Sequence, residues 1–487
     1  MSAQSGRDGL LRRTGIDRHP LAAETAPSGP APARPSGRVM GIEGLRAIAA
    51  SSILVYHVWI YSSPEGRVDA GYLGRFALPH LPAGVTLFFA LSGYLLYRPV
   101  AASVLATGSP PDVRNYLRNR ALRILPAYWV VLAAVAVVLP AALLRLSRPE
   151  LVLDRLVSQP DQLLGNALLA QNYRPASLDT GIGPAWSLAV EVVFYLSLPV
   201  LGLAAARCFR RARGARTEVL ALLVPPAALL LLGTAGKAAS VWALPGEVYP
   251  AHAILVRSFL THADLFAPGM VLAVLHVLVR AGRLRLPRHW AAAVWALLVA
   301  DVLAVVLLTD RGLLWRWGVA NPYQRLTALA CVLVVALVVL PRSADRSPRL
   351  ARALDWRPLF LCGLASYSLF LWHEPITRLL AAQGLTVGGR GGLVVNLGVV
   401  GLVAGLLAAA TYRFVERPAL ARKVSWVAPQ RNPAFTTPNR VTIGEVGALS
   451  TATPAADEVN GGRTQTDLAG RDEYDPASGR VTPGGVS

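Results

Sequence analysis

Ten predominantly apolar runs recur along the chain, at about 42–60, 83–100, 124–144, 185–206, 218–236, 259–279, 290–308, 323–340, 358–378 and 392–412. Each is close to the roughly 20 residues a helix needs to cross a hydrocarbon core. In lipid every backbone N–H and C=O must be satisfied within the segment, so runs of this kind fold as helices. The expected fold is therefore an all-α polytopic membrane protein with about ten transmembrane helices. Composition agrees: 54% of the 487 residues are hydrophobic and 16% charged, where soluble domains carry about 25% charge. An ordinary soluble enzyme is excluded, and the lipid bilayer is the first expected partner. A net charge of +20 would suggest nucleic acid if it gathered on one polar face. It is spread over the loops instead, so no nucleic-acid partner is expected.

The loop charges also orient the chain, because cytoplasmic segments carry the excess of Lys and Arg. With the N-terminus inside, the six internal segments hold 29 basic residues and the five external ones 13, the latter interspersed with eight acids. This alternation predicts ten helices with both termini cytoplasmic. Residues 1–40 are rich in Ala, Pro, Gly, Ser and Arg without apolar periodicity, and residues 424–487 turn polar again. Both read as disordered tails flanking a transmembrane domain at 41–423. The external segment 145–184 is the longest, and its apolar piece LLGNALLAQNY (163–173) is too short to span; a re-entrant or interfacial placement is expected.

Ionisable groups inside spanning helices are costly and are functional candidates by default. The first run contains Glu43, Arg46 and His57. Eleven residues at 100° each return to within about 20° of the start, so Arg46 and His57 share a face, roughly 16 Å apart in depth. Glu43 fits equally well as a helix-start ion-pair partner of Arg46. In the fourth run Glu191 lies about two turns in, with Trp186 above it and Tyr195 one turn below. The ninth run, SYSLFLWHEPI, carries Trp372, His373 and Glu374. Three helices thus bring His57, Glu191 and His373 to a similar depth, which predicts one shared polar layer. On the cytoplasmic side, Arg114, Arg118, Arg120 and Arg123 precede the third run. Arg120 and Arg123, three apart, share a helix face from which planar guanidinium forks bind phosphate. Cys208, Cys331 and Cys362 have no C-x-x-C spacing, and His262 with Asp264 lacks a third ligand, so no metal site is expected. Trp315 and Trp317 fit an interfacial aromatic belt.

Taken together, GIEGLRAIAASSILVYH (41–57), GVTLFFALSGYLL (84–96), RNRALRILPAYW (118–129), AWSLAVEVVFY (185–195), SYSLFLWHEPI (366–376) and FVERPAL (414–420) resemble membrane acyltransferase family three. These are integral membrane O-acyltransferases that modify bacterial envelope glycans and some secondary metabolites. The resemblance covers roughly residues 41–420. Glu43 stands where an aspartate is commoner, and Val192 and Val193 where polar residues often follow the glutamate. The resemblance implies a member in the bacterial plasma membrane; some members add an exported esterase-like domain, for which the tail at 424–487 is too short, so a stand-alone form is expected. It implies transfer of an acyl group, usually acetyl, from cytoplasmic acyl-coenzyme A to a hydroxyl of a glycan, lipid-linked or secondary-metabolite acceptor, with no permanently bound cofactor. Arg120 and Arg123 would hold the donor phosphates and His57 would act as general base. Glu191 would orient the His57 ring, and Arg46 would orient the donor arm or anchor Glu43. Ser92, Tyr195, Tyr367 and His373 are candidates for stabilising the oxyanion, and Trp186 and Trp372 for lining the substrate pocket. Buried His, Glu and Arg also describe proton-coupled or substrate transporters, the alternative class, but no inverted internal repeat is visible.

Overall fold

The computed structural model describes residues 39–62, 68–145, 151–242, 250–310, 322–341, 348–389 and 391–426. Both expected tails, apart from residues 39–40 and 424–426, lie outside the described residues, as do Trp315 and Trp317. The described residues all fall within one compact unit that extends to Val441.

Helical segments correspond to each of the ten apolar runs: α1 Ile42–Tyr61, α2 Ala83–Thr107, α3 Val113–Ala133, then, after a short helix α4 Pro160–Ala167, α5 Ala185–Arg211, α6 Ala215–Trp242, α7 Ala267–Arg280, α8 Trp290–Asp310 and α9 Pro322–Val339. The ninth run is split by Ala365 into α10 Arg357–Leu364 and α11 Ser366–Ala382, and α12 Gly392–Thr411 continues through a wider turn into α13 Arg417–Ala421. Nine helices among the described residues are long and apolar enough to cross a membrane. The ninth run is not among them: the break at Ala365 leaves α11 with 17 residues. The sixth run also starts late: residues 259–265 form tight single turns before α7.

Local chemistry sets several of these ends. Gly41 precedes α1 in the left-handed region at φ 83°, which glycine adopts at little cost, and Glu43 in the first turn complements the helix dipole. The Asp112 carboxylate caps α3 by accepting from the N–H groups of Arg114 and Asn115 at 2.9 and 3.3 Å, satisfying donors that a helix start leaves open. Small residues let helices approach closely, the usual device where lipid supplies no hydrophobic drive. A Cβ at Gly93 of α2 would strike the Phe266 carbonyl, and one at Gly269 of α7 the Ala90 carbonyl. Similarly, Gly363 of α10 lies against the Glu43 backbone, seating α10 on the start of α1.

The segment between α3 and α5 contains a feature the apolar pattern did not indicate. Strands β1 Ala142–Arg145 and β2 Leu151–Asp154 pair antiparallel, Ala142 opposite Asp154, and Leu143 bridges to Gly181. Four-residue apolar runs carry no decisive periodicity, so strand and helix are indistinguishable there. Asn166, fully buried, anchors the segment: its backbone carbonyl accepts from the Tyr128 hydroxyl at 2.7 Å, and its Nδ2 donates to Thr180 Oγ1 at 2.8 Å. The apolar piece 163–173 is thus folded onto the bundle through α4.

Two buried charges differ from expectation or stand apart. Lys237, counted with the external loops, lies inside α6 and is 1% exposed, bonded to both Asp264 oxygens at 2.7 and 2.5 Å. This pairing accounts for Asp264 without a metal, in line with the low desolvation tolerance of an isolated charge. Asp301 of α8 is 5% exposed, and both its carboxylate oxygens are buried without a hydrogen-bond partner among the described residues. An uncompensated buried polar group costs about 1–3 kcal/mol. Asp301→Ala is therefore expected to raise the thermal midpoint of the purified protein in detergent by a few degrees. A lowered midpoint would show instead that the carboxyl contributes to stability.

Candidate functional site

Helix α1 carries both ends of the site. Arg46 and His57, on one face and roughly 16 Å apart along the axis, line two different cavities.

The arginine cavity, about 100 Å³, is lined by Arg46, Ser92, Arg120, Arg123, Glu191, Tyr195 and Tyr367, with Phe88, Phe89 and Phe370 among its apolar wall. Arg46 Nε donates to Ser366 Oγ at 3.4 Å and lies 3.8 Å from Glu43, so the helix-start pair is present. Arg123 Nη1 donates to Glu416 Oε2 at 3.0 Å. The other Glu416 oxygen accepts from the backbone N–H and the hydroxyl of Ser368, at 3.1 and 2.5 Å. Those are first-turn groups of α11, freed by the break at Ala365, and a carboxylate is the natural cap for them. Arg123 is thereby committed to a structural carboxylate. Arg120 is not: its Nε is buried without a hydrogen-bond partner among the described residues, and its guanidinium sits 5.8 Å from the Tyr195 ring centre. Glu191 accepts a short hydrogen bond from the Ser92 hydroxyl.

The histidine cavity, about 150 Å³, is lined by His57, Tyr61, Gln171, Asn172, Asp179, Thr180, Gly183, Trp186, Arg257, Glu374 and Arg378 among others. His57 Nδ1 lies 2.7 Å from His373 Nε2, the rings stacked at 4.9 Å and 13°. His373 Nδ1 lies 3.2 Å from the Leu369 carbonyl. A carbonyl only accepts, which puts the His373 proton on Nδ1 and leaves its Nε2 as an acceptor. His57 then donates from Nδ1, and its Nε2 keeps a lone pair. The Tyr61 ring stacks with that of His57 at 5.5 Å, and the Arg378 guanidinium lies 3.5 Å over Tyr61 while Nε donates to Glu374 at 2.6 Å. Arg257 pairs with Asp179. Asn172 Nδ2 donates to the Trp186 and Arg257 carbonyls at 2.7 and 2.9 Å, tying the 171–183 segment to α5. A Cβ at Gly183 would collide with the Glu374 carboxylate.

The shared layer expected of His57, Glu191 and His373 is corrected by this geometry. His57 and His373 meet, but Glu191 opens onto the arginine cavity and is held by Ser92. Depth alone does not fix direction: on α5, Trp186 faces the histidine cavity, and Glu191, five residues on, points roughly 140° away around the helix. His373, rather than Glu191, is the group bonded to the His57 ring. Trp372 lines neither cavity; it is 5% exposed and its Nε1 donates to Thr411 Oγ1 of α12 at 3.0 Å. The Tyr367 hydroxyl is engaged with the Ile124 carbonyl at 2.9 Å. Glu43 lies beside Arg46 at the start of α1; Ser92 and Tyr195 line the arginine cavity and Trp186 the histidine cavity. Phe370, in the arginine-cavity wall, lies 5.7 Å ring to ring from His373, so one aromatic ring touches both halves of the site.

Sequence reasoning did not single out Gln171, Asn172, Asp179, Arg257, Arg378 or Glu416. Arg378 and Glu416 carried a usable signal, a charge at the edge of an apolar run. The loop residues carried none, since irregular segments have no periodicity to read. Among the described residues no group of three or more His, Cys, Asp or Glu is placed to hold a metal ion.

A helical bundle with imidazole, guanidinium and carboxyl groups turned inward onto two cavities defines a multi-pass membrane protein with a chemically equipped interior. Residues 40–412 match the family model described as an acyltransferase domain, and the chain belongs to that family. It is 25% identical over 393 residues to YrhL of Bacillus subtilis (strain 168), by name a candidate peptidoglycan O-acetyltransferase, covering 78% of this chain and 54% of that one. It is 25% identical over 400 residues to the O-acetyltransferase OatA of Staphylococcus aureus, covering 78% and 56%. The peptidoglycan O-acetyltransferase OatA of Listeria monocytogenes matches at 24% over 353 residues, covering 70% and 50%. The chain spans about half the length of these curated relatives. No solved structure matches it.

Proposed function

We propose that this protein is an integral membrane O-acyltransferase that moves an acyl group, acetyl in the first instance, from cytoplasmic acyl-coenzyme A to a hydroxyl of an envelope glycan. The observation that carries the reading is the His57–His373 pair, an imidazole fixed in the tautomer a general base requires. Arg120, with a buried Nε lacking a partner, supports a phosphate-bearing donor in the arginine cavity. The names of the relatives support a glycan acceptor, and so does the polar lining of the histidine cavity.

In the proposed step the acceptor hydroxyl sits against His57 Nε2. His57 removes its proton as the oxygen attacks the thioester carbonyl, forming the C–O bond. His373 Nε2 accepts the Nδ1–H of the imidazolium so formed and holds its orientation. Collapse of the tetrahedral intermediate breaks the C–S bond, and the proton passes to the departing thiolate. The donor arm spans the roughly 16 Å between Arg46 and His57 along α1, past Phe370. Purified protein in vesicles, supplied with radiolabelled acetyl-coenzyme A and cell-wall glycan, is expected to move label into the glycan as an alkali-labile ester. Label that crosses the vesicle membrane without becoming ester-linked would favour a transporter.

A further inference from the structure

Helix α13 ends at Ala421, yet the chain stays against the bundle. Asn119, the neighbour of Arg120 on α3, holds Val424 by both of its backbone groups. Asn119 Nδ2 donates to the Val424 carbonyl at 2.6 Å, and Asn119 Oδ1 accepts the Val424 N–H at 3.1 Å. Two residues on, the Trp426 ring packs 5.0 Å from that of Tyr116, and the Trp426 carbonyl accepts the Asp112 N–H at 3.1 Å. A side-chain amide that satisfies a backbone donor and acceptor together acts as one rung of a sheet ladder. Residues 422–426 are thus strapped across the first turns of α3.

The strap carries Lys423 to the arginines. Lys423 directly precedes Val424, so the strap sets it beside the face of α3 that carries Asn119 and, one turn on, Arg123; there desolvation first, and then Arg120, Arg123 and Arg46, lower the pKa of its amine to about 7, with Glu416 opposing. Holding a fourth cation against three others is unfavourable in the empty protein. A polyanion among them adds an attraction to each cation that outweighs their mutual repulsion.

We propose that residues 422–426 form a strap that presents Lys423, alongside Arg120, to the phosphates of the thioester donor; this rests on the donor reading given above. Bound phosphate favours the charged amine, so binding takes up a proton. Affinity then falls as pH rises from 7 to 9, by about tenfold for each unit by which the ligand raises the amine's ionisation point. The charged groups facing Lys423 are Arg120 and Arg123 on α3, Arg46 on α1 and Glu416 after α12, and none of the arginines titrates in that range.

Binding of coenzyme A to the full chain in detergent, measured by calorimetry from pH 7 to 9, tests this. Lys423→Ala is expected to weaken binding about tenfold at pH 7 and to flatten the profile. Lys423→Arg is expected to keep the affinity and also flatten it, because a guanidinium stays charged. Asn119→Ala, which releases the strap, is expected to weaken binding and lose the pH dependence with the arginines intact. Unchanged affinity and profile in Lys423→Ala, with binding lost in Arg120→Ala, would overturn the strap and leave the donor site standing. Unchanged binding in both would overturn the donor reading and the strap with it. Unchanged coenzyme A binding in Lys423→Ala with reduced capture by phosphatidylglycerol vesicles would assign the lysine to lipid headgroups and overturn the proposal.

Discussion

Alanine at position 57 is expected to lower acyl transfer by about 10²- to 10⁴-fold, the usual worth of a positioned general base, while the protein still inserts and binds coenzyme A. The reason is specific to the tautomer chain. The Leu369 carbonyl fixes His373, and His373 fixes His57 through the 2.7 Å contact between their rings. His373→Phe is expected to cost a comparable factor, because His57 then loses the acceptor that holds its proton on Nδ1. Loss of an orienting partner has that scale in other base–orienter arrangements, about 10⁴-fold. His373→Gln is expected to fall between, since its amide oxygen accepts the same N–H. Single-turnover rates with acetyl-coenzyme A measure this directly. Wild-type rates in His57→Ala would remove His57 from the chemistry, and wild-type rates in His373→Phe alone would show that the ring needs no partner.

The two arginines three residues apart are expected to behave differently. Arg120→Ala is expected to weaken donor binding by about 10- to 100-fold, from the roughly 1.5–3 kcal/mol of a hydrogen bond to a charged group, with little change in thermal midpoint. Arg123→Ala instead strands Glu416, whose side chain is 1% exposed, and breaking a buried pair on one side costs about 3–5 kcal/mol. Its first symptom is loss of folded protein. Arg123→Ala combined with Glu416→Gln is expected to recover much of that stability, because a neutral amide still bonds Ser368 without leaving a charge. Thermal midpoints alongside coenzyme A titrations separate the effects. Equal loss of stability in Arg120→Ala and Arg123→Ala would contradict the division of roles.

The arginine face was legible from spacing, but Arg123's commitment was not, because Glu416 lies 293 residues away in the turn that joins α12 to α13. The same contrast holds at the histidines. Arg46 and His57 share a helix face by arithmetic on α1 alone, and both are found lining cavities. Glu191 was expected beside His57, since both lie near the same depth, and it turned instead toward Ser92. Side-chain direction on a buried helix depends on its rotation against its neighbours, which apolar runs do not encode when the helix is hydrophobic nearly all round.

The sequence by itself determined that the chain spans a membrane in about ten helices. That outcome follows from run length, because lipid forces each backbone group to find its partner within the segment. It also singled out His57, Glu191, His373 and the arginines as candidates, since an ionisable group in a spanning helix is costly. Only the tertiary structure decided how those groups pair: His57 with His373, Arg123 with Glu416, and Arg120 with no protein partner at its Nε. Pairing is set by contacts between residues up to 316 positions apart, and by a break at Ala365 that frees the N–H group Glu416 caps. Those are properties of packing, to which no local pattern of residues corresponds.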